Sequence, residues 1–429
     1  MSTIVMGSRN NISSILVFLT LISLTTNFIV SGQEEEKKCW DDNTKKIFKN
    51  ERKRNVTEPY TYIVCPDTTF KPGAYLGNGF EDKKYPLMLH SNARIQCGED
   101  GDPSNNCVVD GSGTFGMLIN PLFFGDTEAS NIVVKGLTFS DFEDESPIMQ
   151  NLITFRASSG SMTLENCIFE YSRSEPLFEF TQYFTEGKRE RQLLLPEVED
   201  EEELNWKAFY YQHQQIIEQR KKMTTKNERK SISDTTQKYH RDLQSDKEVN
   251  ISIIGCHFAN LALTKYATRN EGLSLLHFSG LGTSFTDYLE RTNINAVVKQ
   301  TVFEGIDAIS ELDKLYTHRS IITFDSVGKL TLDELCFRNI KMSTNGASDF
   351  VIASKKANAT EMRDIYIDTG SMTYAPGNAA ERECSFMSFV EKNFELKYER
   401  TNCGPAADAT RCFLDTAAPT SSPVEASPT

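Results

Sequence analysis

The sequence predicts an all-β chain wound as a stacked solenoid, a parallel β-helix, and three observations carry this. Short apolar runs alternate with period two, as strands with one inward face do. The runs come in threes, with only two residues between the second and the third. The set then recurs at spacings of roughly 25 to 45 residues, within the range of stacked repeats.

The repeat is clearest at 153–180, ITFRASSGSMTLENCIFEYSRSEPLFEF. Runs at 153–155, 162–164 and 167–169 alternate, and Glu165-Asn166 moves the inward phase from even to odd positions. The chain must bend there, and Asn tolerates the left-handed backbone of such a bend. Phe178 to Phe180 then repeats the first run one coil later. Two-residue bends also fall at Lys135-Gly136, Ile254-Gly255, Lys299-Gln300 and Asp333-Glu334, each between short apolar runs. Phe139, Phe169, Phe258, Phe303 and Phe337 occupy one inward position and are predicted to stack as a ladder, with burial of each ring contributing roughly 2 to 3 kcal/mol. Propeller blades would need four strands with hairpin turns, and Asn-Gly or Asp-Gly hairpin dipeptides at two-residue spacing are absent between these runs.

Around this repeat the chain divides in order. Residues 1–32 read as a secretory signal: Arg9 precedes an apolar stretch at 15–30, and small residues end at Gly32. The stretch falls short of the ~20 apolar residues that cross a bilayer, so no membrane span is expected after cleavage. Residues 33–84, charged and then turn-rich, are expected to cap the coil, with strands beginning at Pro86. Rungs fill 85–180 and 250–368. Between them 181–249, with the acidic run 197–203 and a later basic patch, is read as a charged insertion, partly helical or disordered. A cysteine-containing cap is expected at 369–417 and a disordered Ser/Thr/Pro tail at 418–429.

Composition fits an exported protein. A formal charge of -14 and a pI near 5.1 disfavour nucleic acid and anionic membrane as partners. Ten cysteines behind a secretory signal favour disulfides. Sequence proximity suggests Cys39 with Cys65, Cys97 with Cys107, and Cys403 with Cys412. Cys167 and Cys256 share the inward position two residues before the Phe and are read as buried ladder residues rather than nucleophiles. Cys336, in the opposite phase, is expected to pair with the terminal cysteines. Asn55, Asn250 and Asn358 head acceptor sequons for N-linked sugar and should lie at the surface. No CxxC or HExxH spacing marks a zinc site. In the segment 98–106, GEDGDPSNN, the side chains of Glu99, Asp100, Asp102 and Asn105 offer hard oxygen ligands of the kind that hold calcium. Their spacing is not that of an EF-hand, and a turn closed by Cys97 and Cys107 is the plainer reading.

The stretches RIQCGEDGDPSNNCVVDGSG at 94–113 and NIVVKGLTFSDF at 131–142 resemble the secreted right-handed β-helix domain proteins of diatoms and related microalgae. At the level of fold the chain is similar to the pectin lyase-like superfamily, whose members include polysaccharide lyases, glycoside hydrolases, adhesins and proteins without known activity. The resemblance implies a right-handed coil and says little about activity. Enzymes of the superfamily carry acids and bases outward on the first strand and on the loops after the third. Here the outward first-strand positions are Thr154, Glu179, His277 and Thr323, and the loop candidates include Asp141, Arg173, Asp307 and Arg319. A lyase needs a base and a cation or carboxylate, and a hydrolase two carboxylates some 5 to 10 Å apart. No row of first-strand carboxylates is present. The expectation is therefore a secreted, non-catalytic β-helix that binds or organises extracellular polysaccharide or cell wall through a long sheet face, without a cofactor other than calcium. The alternatives are a lyase or hydrolase using Glu179, His277, Arg173 and Asp307, and an adhesion protein.

Overall fold

The computed structural model describes residues 39–41, 44–72, 87–111, 117–121, 126–142, 152–173, 177–183, 247–263, 273–281, 292–308, 319–342, 348–354, 359–367, 373–374, 387–390 and 396–397. The signal at 1–32, the body of the insertion, Asn358, Cys403, Cys412, the tail and most of the cap expected at 369–417 lie outside the described residues. The chain divides into Met1–Cys39 and Trp40–Thr429, and every helix and strand described belongs to the second unit.

The chain is mostly β, and its sheets are long and parallel. A nine-stranded sheet holds the first strand of each repeat, among them Ile153–Ala157, Phe178–Tyr183, Leu273–Leu281 and Arg319–Phe324. A 13-stranded sheet holds the second and third, which fuse into single strands at Ile294–Glu304 and Lys329–Arg338. A short three-stranded sheet follows the third strand, from Asp307–Ala308 through Lys341–Met342 to Thr373–Tyr374. Apart from the antiparallel last pair of the nine-stranded sheet, Met387–Val390 with Leu396–Lys397, the strands pair in parallel with their counterparts in the next repeat, the connectivity that a β-helix requires. The register matches the repeat read from sequence: Phe155 lies opposite Phe180, and Phe180 opposite Phe278.

The two-residue bends are where backbone conformation determines the fold. Gly136, Asn166, Gly255, Gln300 and Glu334 all adopt positive φ, between 50° and 66°. The left-handed residue turns the chain so that alternation resumes in the opposite phase. At Gly255 there is a second reason for glycine, because a Cβ would collide with Asn166 Oδ1 of the preceding repeat. Inside the coil the phenylalanines stack face to face: Phe169 on Phe258 at 4.9 Å, Phe258 on Phe303 at 4.9 Å, and Phe303 on Phe337 at 4.9 Å.

Two boundaries differ from expectation. Strands begin at Tyr60–Val64 and Thr69–Phe70 rather than at Pro86, so part of the expected cap already belongs to the ladder. Turn residues between these short strands obscure the period. The helix Thr44–Lys53 packs at this end, burying Thr44, Ile47, Phe48 and Glu51, the spacing of one helical face. Glu51 fixes it: its carboxylate accepts from Tyr62 Oη at 2.6 Å, Arg54 Nε at 2.8 Å and the His90 backbone N–H at 2.6 Å. The insertion is also shorter than 181–249. The strand Phe178–Tyr183 includes Thr181 and buried Gln182, and the ladder resumes at Val249.

Cysteine chemistry follows the expected division. Cys97 and Cys107 are bonded to each other, and Cys39, Cys65 and Cys336 are each in a disulfide. Cys167 and Cys256 are free thiols buried in the ladder, and burial pushes the Cys256 thiol well up, away from thiolate.

Candidate functional site

The outward row of the nine-stranded sheet runs Thr154, Glu179, His277, Thr323, each opposite the next. The expected neighbours Glu179 and His277 are thus side by side. The face they occupy is not open, since Thr154, Glu179 and Thr323 are at most 3% exposed. Strand Ile153–Ala157 shows the same thing: all five residues are buried, so the polar half of its alternation faces packing and not water. Arg156, two residues on from Thr154, meets Glu179 with Nη2 2.8 Å from Oε2, and Thr181 Oγ1 donates to Oε1 at 3.2 Å. The Glu179 carboxylate is thus taken up by a buried ion pair. His277 is half-buried, with Nδ1 3.4 Å from Ser274 Oγ.

Arg173 and Asp307 belong elsewhere. They flank Ala262 in a bridge that extends the short sheet, Arg173 opposite Ala262 and Ala262 opposite Asp307. The four residues named from sequence therefore fall into two pairs on two sheets. Asp307 Oδ2 lies 3.8 Å from Lys341 Nζ, both about half exposed.

A further cluster lies on the outer face of the third strands. His257 Nε2 is 3.2 Å from Glu304 Oε2, and Arg338 Nη2 donates to the same oxygen at 2.7 Å. Burial opposes charge on Glu304, but Arg338 and then His257 outweigh it, so the carboxyl sits below its usual range. Burial lowers His257 despite the pull of Glu304. In the same row, Glu170 lies opposite Ala259, and Ala259 opposite Glu304. Burial, then repulsion from Asp141, raises the Glu170 carboxyl. Sequence reasoning passed over this row, although it is the position immediately after each ladder Phe and could be read off the repeat.

In the loop proposed for calcium, the carboxylates of Asp100 and Asp102 serve the turn. Asp100 Oδ1 accepts from the Asp102 N–H at 3.1 Å and from Asn105 Nδ2 at 2.7 Å, which hold its carboxyl below the usual range. Asp102 caps the short 3-10 helix Pro103–Asn105 by accepting from the Ser104 N–H at 2.8 Å. Asn105 presents its amide N–H groups inward, also to the Cys97 carbonyl at 3.2 Å, rather than its oxygen. Among the described residues no three His, Cys, Asp or Glu side chains are grouped to hold a metal. Asn55 and Asn250 are exposed. No described helix is long and apolar enough to cross a membrane.

Compared with protein-family models, with curated proteins and with solved structures, the chain matches none.

Proposed function

We propose that the chain is a secreted, right-handed parallel β-helix of the pectin lyase-like kind that binds or organises extracellular polysaccharide or cell wall without cleaving it. One observation carries this most. Glu179, the single carboxylate contributed by the outward first-strand row among the described residues, is buried and ion-paired to Arg156. It packs the sheet instead of meeting a substrate. Disulfides at Cys39, Cys65, Cys97, Cys107 and Cys336 and the exposed sequon residues Asn55 and Asn250 support an oxidising, exported environment. The test is the full chain, produced through a eukaryotic secretory pathway, on a glycan array and in depolymerisation assays. Binding without new reducing or unsaturated ends is expected, and chain cleavage of any polysaccharide would reverse the reading.

A hydrolase reading has one observation in its favour. Glu170 and Glu304 stand two ladder steps apart, roughly 10 Å along the stack, with small Ala259 between them. One carboxyl is shifted up and the other down, the division of labour of an acid and a base. Turnover that disappears in both Glu170→Gln and Glu304→Gln would favour it over the Glu179 and His277 assignment.

A further inference from the structure

At the corner after each third strand, one residue per repeat turns left-handed: Asp141, Tyr171, Asn260, Gly305 and Asn339. Four of these are residue types that tolerate positive φ. Tyr171 is not, since a bulky side chain at φ 48° is strained. It is also the most exposed large apolar or aromatic side chain among the described residues, at 60%. The strain is not offset by burial of the ring, which leaves the aromatic face open to a ligand.

The surroundings give the ring a rigid mount. Buried Ser172 accepts from the Phe142 N–H at 3.1 Å and donates to the Glu170 carbonyl at 2.8 Å, while the Arg173 N–H bonds to the Phe142 carbonyl at 2.6 Å. Close to Tyr171 in the chain are Glu170 and Arg173, and Asp141 holds the equivalent corner of the preceding repeat; the side chains of all three make no hydrogen bond or ion pair with the described residues. Asp141 and Glu170 are close enough to repel each other.

We infer that Tyr171, with Asp141, Glu170 and Arg173, forms a binding subsite for a neutral, hydroxyl-rich saccharide. This rests on the polysaccharide reading above and places it on the corner rather than on the first-strand face. The chemistry is complementary: an aromatic face stacks on the C–H face of a pyranose at low entropic cost. Carboxylates accept from pairs of hydroxyls, and the guanidinium donates to ring and hydroxyl oxygens. Two carboxylates against one guanidinium, on a chain of net charge -14, repel uronate or sulfated polymers.

The experiment is affinity electrophoresis of the full chain in native gels containing β-1,3-glucan, β-1,4-glucan, mannan or polygalacturonate. Tyr171→Asn is the informative variant, because Asn occupies this corner without strain at Asn260 and Asn339. It should melt at the same temperature as the parent or higher, yet bind the retarding neutral polymer about five- to tenfold more weakly. Tyr171→Phe, which keeps the aromatic face, should bind within about twofold of the parent. Undiminished binding by Tyr171→Asn, or equal loss in Tyr171→Phe, overturns this subsite while leaving polysaccharide binding intact. Retardation by polygalacturonate alone overturns the neutral class. Retardation by none of the polymers refutes both this subsite and the broader reading.

Discussion

Gln182 Nε2 donates to the Lys247 carbonyl at 3.0 Å, joining residues separated by 65 positions in sequence. The same amide donates to the Ser158 carbonyl at 3.0 Å, and its Oε1 accepts from the Asn293 N–H at 2.7 Å. One buried side chain thus ties three successive repeats at the point where the chain leaves and re-enters the ladder. Both ends of the insertion are fixed by the coil itself. Replacing 184–246 by a turn of roughly six residues should therefore leave the strand signal in circular dichroism and move the melting temperature little, since loop-closure entropy changes only with the logarithm of length. Gln182→Ala should cost about 2 to 3 kcal/mol by stranding buried backbone groups. A deletion that unfolds the chain, with Gln182→Ala neutral in denaturant titration, would show that the insertion and not the clamp holds this junction.

Phe258 tests the interior. It stacks at 4.9 Å on both Phe169 and Phe303 and meets the edge of Phe178 at 5.2 Å. Phe258→Ala should cost about 3 to 5 kcal/mol from lost burial and cavity. Phe258→Asp, which puts an unpaired charge among these rings, should prevent folding. Secretion of soluble, cooperatively melting Phe258→Asp protein would rule out the register described.

How far the sequence reveals this molecule is visible in these residues. The Phe ladder and the left-handed bends were legible because each is a local pattern repeated in every coil: Asn166 and Gly255 advertise the bend, and period two gives the inward face. The sequence places Gln182 in the insertion, because its partners Ser158, Lys247 and Asn293 lie in three repeats and no local pattern connects them. Alternation puts Thr154 and Glu179 on the outward face but reports polarity and not what covers the polar side, and both are buried. Arg156 stood in the same outward phase and could have been paired with Glu179 from the 25-residue repeat that places Phe155 opposite Phe180. Tyr171 left no signal at all without its backbone angle.

The Arg156 and Glu179 pair separates structure from chemistry. Removing one partner takes the ion pair at 2.8 Å away from a buried charge, so Glu179→Ala should destabilise by about 3 to 5 kcal/mol. Pairing Arg156→Met with Glu179→Leu should recover most of that loss, because an apolar pair of similar volume carries no desolvation penalty. Denaturant midpoints of the two singles and the double decide it through their coupling. If the double is as unstable as the singles while glycan binding is lost in all three, the pair acts on ligand rather than on packing.

The acid side of the stability profile has a determined sign. Burial lowers both His90 and His257 from the ordinary 6.5, with Asp126 and Glu51 pulling His90 up only in part and Glu304 doing the same for His257. In each case the unfolded chain takes its proton near pH 6.5 while the folded chain takes it lower, so the unfolded state binds more protons in between. Their contribution is complete above pH 6.5 and is lost as pH falls through the folded values, and the melting temperature should drop between pH 7 and pH 5. Glu170 works the other way. Its carboxyl is raised by burial and by Asp141, so its charge strains the fold at neutral pH and the strain is relieved on acidification. Glu170→Gln should therefore raise the melting temperature at pH 7 and lose that advantage by about pH 4, whereas His257→Gln should flatten the slope between pH 7 and pH 5. Parallel melting profiles for the parent and His257→Gln, measured by calorimetry over this range, would remove His257 as a source of the acid sensitivity.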